Sequence, residues 1–236
     1  MGILHHPFLL LGTVIVLTLY QFNSCPFCGK VRALLNYAKI PYTVVEVSPF
    51  GMKELDFTTH KKVPVLRDGE QVLVESAAIV VYLNEHYAHL PATARDAEWS
   101  AWLDQTLVHY LPPLIHPGMG QSFKNLGLLM QGQPGSLVKR WFSRLAGAVV
   151  MPRVAKKMQQ KHAIQQPEAE FHAALDHWVQ AGLAGQAFFG GVQPGILDTS
   201  VFGVLHSAAG MGILERASAH NPAFGRWYQA TRALAA

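Results

Sequence analysis

LTLYQFNSCPFCGKVRALLNYAKIPYTVVEV, residues 17–47, holds both cysteines of the 236-residue chain, three positions apart, between an apolar run and an amphipathic one. Residues 14–20 are rich in Val, Ile, Leu and Thr, which predicts a buried strand. Asn23 and Ser24 then offer cap chemistry ahead of Pro26, so a helix starts there. Val31, Leu34, Leu35 and Ala38 recur at helical spacing while Lys30, Arg32 and Lys39 fall away from them, and Pro41 ends the one-sided helix. Residues 42–47, YTVVEV, are short and β-branched, and a strand reached through a crossover helix pairs parallel to the first. The stretch is a βαβ unit.

Working outward, residues 53–62 are polar, and residues 63–66 and 71–74 flank Asp68-Gly69 as two strands of a hairpin. Ser76 is placed to cap a following helix whose inward stripe is Ile79, Val80, Leu83 and Tyr87. The order βαβ then ββα is the thioredoxin-like arrangement. After Leu90-Pro91 strand alternation stops, and helical patterns occupy 95–111, 137–161, 168–181 and 198–211. The expected fold is an α/β N-terminal domain over 13–90, a linker at 89–95 and an all-α C-terminal domain over 95–236, with 1–12 as an extension. Segment 112–135 carries many helix breakers and reads as a kinked connection.

Charged residues are 14% of the chain and the net charge is +4, with Lys156, Lys157 and Lys161 as the densest basic patch, so nucleic-acid binding is not indicated. The apolar run at 8–20 is 13 residues long, short of the roughly 20 a spanning helix needs. It continues straight into Gln21 without a signal-peptide cleavage pattern, leaving residues 8–11 as a candidate peripheral membrane contact. Two cysteines make no disulfide framework, which points to a reducing, cytoplasmic setting.

Cys25 precedes the helix, and Pro26 suits the first helical position. Free amides and partial positive charge at a helix N-terminus stabilise a thiolate, while Cys28, one turn inward, can resolve a mixed disulfide on Cys25. A structural zinc site needs four ligands, and His5-His6 lie before the first strand; His86 and His89 sit in a last helical turn, where the dipole favours them anyway. No metal site is assigned. Redox pair, nucleophile with a bystander, and two inert buried thiols all remain open on the residues alone. Val63-Pro64 begins the third strand, where a cis-proline would free the preceding backbone to pair with an extended ligand. Glu75-Ser76 opens a helix whose amides can receive a carboxylate, while the Glu side chain suits an ammonium. His162, His172, His177 and the five tryptophans read as packing residues.

Cys-Pro-Phe-Cys after a first strand, Val-Pro before the third and Glu-Ser opening the next helix, followed by an all-helical half, together resemble the glutathione transferase fold. LTLYQFNSCPFCGKVRALLNYAKIPYTVVEV, KKVPVL, WLDQTLVHYLPP and GGVQPGILDTSVFGVL resemble the membrane-associated prostaglandin E synthase type 2 family. The resemblance implies a homodimeric, glutathione-binding isomerase that converts prostaglandin H2, a hydrophobic substrate, to prostaglandin E2, and that also binds haem. It implies Cys25 as the essential thiol with Cys28 beside it, and Phe27 in the substrate pocket. It further implies Val63 and Pro64 for backbone pairing with glutathione, Glu75 and Ser76 at its γ-glutamyl end, and His109 near the haem. A glutaredoxin- or transferase-type thiol oxidoreductase and a non-catalytic haem and glutathione carrier are the alternatives. The chain departs from the family at Phe22, where a tyrosine is usual, so the thiol lacks that hydroxyl. It departs again at Gly195, where a capping box would supply a side-chain acceptor. Asp198 is expected to accept from the loop, as a folding element of about 1 kcal/mol.

Overall fold

The computed structural model describes residues 17–48, 51–130 and 137–235. The expectations for residues 1–12, and for the start of the first strand at 14–16, lie outside the described residues. Strand β1 (Leu17–Gln21) leads through the cysteine loop into α1 (Pro26–Tyr37) and back to β2 (Tyr42–Glu46), which pairs parallel to β1. Helix α1 ends before Pro41: Lys39 turns left-handed at φ 54°, and the Ile40 N–H closes back onto the Leu35 carbonyl at 2.9 Å. Then β3 (Val65–Asp68) and β4 (Gln71–Val74) form an antiparallel hairpin with Gly69 at φ 56° in its turn. The sheet order is β2-β1-β3-β4, so β1, carrying the cysteine loop at its C-terminal end, is central and held on both sides. Helix α2 (Ser76–Leu83) follows and runs into a π-helical turn, Asn84–Ala88.

From α3 (Asp96–Gln105) onward the regular structure is helical: a 3-10 turn (Leu107–Tyr110), α4 (Leu111–Ile115), α5 (Met119–Leu129), α6 (Leu137–Lys161), α7 (Pro167–His177) with a π-helical turn to Leu183, α8 (Ile196–His206), α9 (Ile213–His220) and α10 (Pro222–Ala235). The segment expected to be a kinked connection is thus two helices over much of its length. Pro112 and Pro113 fall in the first turn of α4, where no intrahelical N–H is required, and Pro117 precedes α5. Helices α9 and α10 were not expected from the pattern.

One apolar cluster joins the two halves. It runs from Leu17, Leu19 and Leu66 of the sheet through Val31, Leu34 and Leu35 of α1 to Phe202, Leu205, Trp178 and Trp227. Burial of the three α1 side chains alone contributes about 1.5–3 kcal/mol each. The helices α1 and α8 touch backbone to backbone: a Cβ added to Gly29 would stand 2.3 Å from the Gly203 carbonyl oxygen, and one on Gly203 equally close to that of Gly29. A smaller cluster of Val47, Leu55 and Val65, with Phe22 packed against it, fills the other side of the sheet.

Three packing expectations are corrected. Lys30 does not face solvent: it is 1% exposed, and its ammonium donates to both carboxylate oxygens of Asp104 on α3, at 3.0 and 2.9 Å. Helical periodicity put it off the apolar stripe, but residues of α2, α3 and α8 meet around it and Asp104 receives its charge. Tyr87 is partly exposed and gives its hydroxyl to Asp68, as Tyr82 does at 2.8 Å. Trp141, on α6, is 51% exposed rather than packed.

Candidate active site

The loop from Gln21 to Cys25 is fixed before any chemistry begins. Arg32, one turn up α1 from Cys28, donates to the Gln21 side chain at 2.5 Å and to the Asn23 carbonyl at 2.9 Å. Glu46, at the end of β2, accepts from Gln21 Nε2 at 3.2 Å and from the Asn23 amide at 2.7 Å. These charge-assisted bonds tie strand, loop and helix together, and the Cys25 N–H closes a turn onto the Phe22 carbonyl at 3.0 Å.

Cys25 is the extended residue before α1, at φ −80° and ψ 123°, with Pro26 in the first turn. Its thiol is pulled down to about 7, chiefly because the Cys28 thiol donates to its sulfur; burial opposes this, and the Cys28 and Phe27 amides and the Arg32 guanidinium reinforce it. Cys28 is fully buried, and burial together with its donation to Cys25 pushes its own thiol far up. The first proton to leave the pair is therefore that of Cys25, about half ionised near pH 7, while Cys28 keeps its own.

Beside this helix end lies a cleft of about 360 Å³, walled by Phe27, Val63, Pro64, Glu75 and Ser76. Those five residues, from well-separated parts of the α/β half, are brought together as expected. The Val63–Pro64 peptide is cis, and Val63 precedes the ladder, which begins at Val65. Cys25 sits two residues from Phe27 but is not itself in the wall. Sequence reasoning missed His60, Lys62 and Asp104, which also face the cleft. Lys62 and His60 precede the cis-proline, and proximity to that motif was the available signal. Asp104 arrives from the other half of the chain, where no local signal marks it.

Ser76 does not cap α2 as expected. It is the first helical residue and is buried, and Glu75 takes the position before it at φ 65°, ψ 117°, with its carbonyl accepting from Ile79 N at 3.0 Å. A non-glycine residue there costs about 1–3 kcal/mol and is characteristic of ligand-holding sites. His109 stands apart from the cleft wall. It lies in the 3-10 turn with its ring stacked on His162 at 3.6 Å, and burial, His162 and Lys161 hold its pKa below the ordinary value. His109, expected near the haem, is not among the residues that wall the cleft, and no chemistry is routed through haem here. Among the described residues no group of three His, Cys, Asp or Glu side chains could hold a metal ion.

Asp198, the third residue of α8, accepts from the amides of Gly195, Phe189 and Gly190 at 2.9, 2.9 and 3.0 Å and from Trp227 Nε1 at 2.8 Å. It is a folding element, as expected, but one buried carboxylate satisfies four donors rather than one.

Residues 19–92 match the family model for the glutathione S-transferase N-terminal domain. Prostaglandin E synthase 2 of Danio rerio is 26% identical across 92% of this chain and 71% of its own length, and that of Mus musculus 25% identical across 89% and 68%. Among solved structures, human glutathione S-transferase T1-1 in its apo form superposes with a TM-score of 0.59 at 22% identity, over 93% of this chain and 84% of that one. Residues 19–92 thus carry the sequence of a glutathione S-transferase N-terminal domain, the whole chain has the glutathione transferase fold, and over nearly its whole length it is similar to prostaglandin E synthase 2.

Proposed function

We propose that this chain is a glutathione-dependent enzyme whose Cys25 thiolate isomerises a prostaglandin H2-type endoperoxide to the corresponding β-hydroxyketone. The observation that carries the reading is the Cys25 sulfur, held at about 7 by the Cys28 thiol and two amides beside a cleft of the right chemistry. That cleft suits a γ-glutamyl tripeptide: the Glu75 carboxylate matches an ammonium, the α2 amides at Ser76 match a carboxylate, and the backbone at Val63 matches an extended peptide. In the reaction the thiolate attacks one oxygen of the O–O bond, forming S–O and releasing the other oxygen as an alkoxide that takes up a proton. Loss of a proton from the carbon bearing the first oxygen then forms C=O, and the S–O bond breaks to return the thiolate. No net oxidation occurs.

A second reading, a glutaredoxin-type thiol oxidoreductase, is favoured by one specific observation: the Cys28 thiol lies within hydrogen-bond reach of Cys25. There Cys25 attacks a glutathione mixed disulfide, releasing one thiolate, and Cys28 displaces glutathione to leave a Cys25–Cys28 disulfide that a second glutathione pair reduces. Cys25→Ser is expected to abolish either activity. Cys28→Ser separates them, since its hydroxyl still donates to Cys25: isomerisation continues while dithiol reduction is lost. Full activity of Cys25→Ser in both assays would sink both readings.

A further inference from the structure

Helix α6 has a chemical asymmetry that the site does not use. Its 25 residues include seven lysines and arginines and no acidic side chain, and no Asp or Glu occurs anywhere from residue 105 to residue 167. The whole chain has 19 basic and 15 acidic residues, so the remainder, with 12 basic against 15 acidic, is net negative. The inner side of α6 is settled: Ala148 and Ala155 are buried, and the Arg144 guanidinium lies 3.9 Å over the Phe123 ring of α5. The outer side leaves Trp141, Phe142, Leu145, Val150 and Val154 exposed, Phe142 at 61%, with Trp141 and Phe142 edge to face at 5.3 Å. Arg153, Lys156 and Lys157 are exposed on the same side toward the C-terminal end.

Such a face serves two solvents at once. Water rewards the cations and penalises the aromatic and branched side chains. A nucleic acid would reward the cations but not Leu145, Val150 and Val154, and a second copy of the same face would bring like charges together. The geometry points to an anionic lipid surface, on which α6 lies flat with its exposed apolar residues at the headgroup boundary and Arg153, Lys156 and Lys157 on lipid phosphates. This is a docking contact and not a span, since among the described residues no helix is long and apolar enough to cross a membrane. It is separate from any contact by the apolar residues near the N-terminus. Its C-terminal end adjoins the 3-10 turn through the stack of His162 on His109, and that turn follows α3, whose Asp104 faces the cleft.

The test is sedimentation of the 236-residue chain with vesicles of phosphatidylcholine alone or mixed with phosphatidylserine. Binding is expected with the anionic vesicles, weakening as salt is raised, and brominated lipid should quench tryptophan fluorescence in the wild type but much less in Trp141→Phe. Two pairs of exposed changes, Phe142→Ser with Val150→Ser and Lys156→Glu with Lys157→Glu, should each lower affinity about tenfold or more. Unchanged circular dichroism and an unchanged Cys25 alkylation rate would show that the fold and the thiol site persist. Wild-type vesicle binding by both paired variants would overturn the proposal and assign lipid contact elsewhere, residues 1–12 included. So would binding to duplex DNA but not to vesicles, or a dimer in solution that the same substitutions break.

Discussion

Cys25 and Cys28 divide one proton unequally because one sulfur sits at the helix mouth and the other behind it. Alkylation of Cys25 by iodoacetamide should therefore rise as pH climbs through about 7 and level off above it. Cys28→Ala removes the donating thiol, and a hydrogen bond to a charged group is worth about 1.5–3 kcal/mol, so the midpoint should move up by about one unit or more. An unmoved midpoint would mean that the amides alone hold the thiolate. Lys30 and Asp104 present the same economy of charge between the two halves of the chain. Burial holds the Lys30 pKa below its ordinary value, and the Asp104 carboxylate, both as a charge and as a bond acceptor, offsets part of that. Asp104→Ala strands a buried ammonium and should cost about 3–5 kcal/mol in urea unfolding, and adding Lys30→Met should recover most of that loss.

At the scale of elements, the crossing of α1 over α8 sets where the nucleophile stands, because Cys25 immediately precedes α1 and Gly203 touches Gly29 near the helix start. Gly203→Ala would press a methyl group into backbone that has no flexible end to give. The expected result is a loss of about 1–3 kcal/mol or more in thermal or urea unfolding, with slower alkylation of Cys25 as α1 shifts outward. Unaltered stability would show that the two helices can part at no cost. The four donors on Asp198 act at the same scale, locking the loop before α8 to the side chain of Trp227 on α10 and so holding the helix against which α1 rests.

Across the whole molecule, the sheet and the helical half share one core rather than two. The chain is therefore expected to unfold as one unit. All five tryptophans lie between residues 99 and 227, in the helical half, whereas both thiols lie in the α/β half. Tryptophan fluorescence and thiol exposure should consequently give superimposable urea transitions; two separated midpoints would show halves that fold independently.

Much of this architecture was legible in local pattern. Strand composition, helix periodicity, the Cys-Pro-Phe-Cys junction, Val63-Pro64 and Glu75-Ser76 are short-range signals, and they sufficed for the α/β half and for most of the cleft wall. Helices α5, α9 and α10 went unread behind the glycines and prolines that flank them, although each carries an amphipathic pattern. The sequence by itself determined which sulfur stands at a helix mouth and which lies a turn inside it, because that placement is decided within a few residues. Only the tertiary structure decided that Lys30 is buried against Asp104, that Asp104 reaches the cleft, and that α6 turns Trp141 and Phe142 outward. Each depends on which distant helix covers a given face, and a linear pattern records the faces of a helix but not what comes to lie on them.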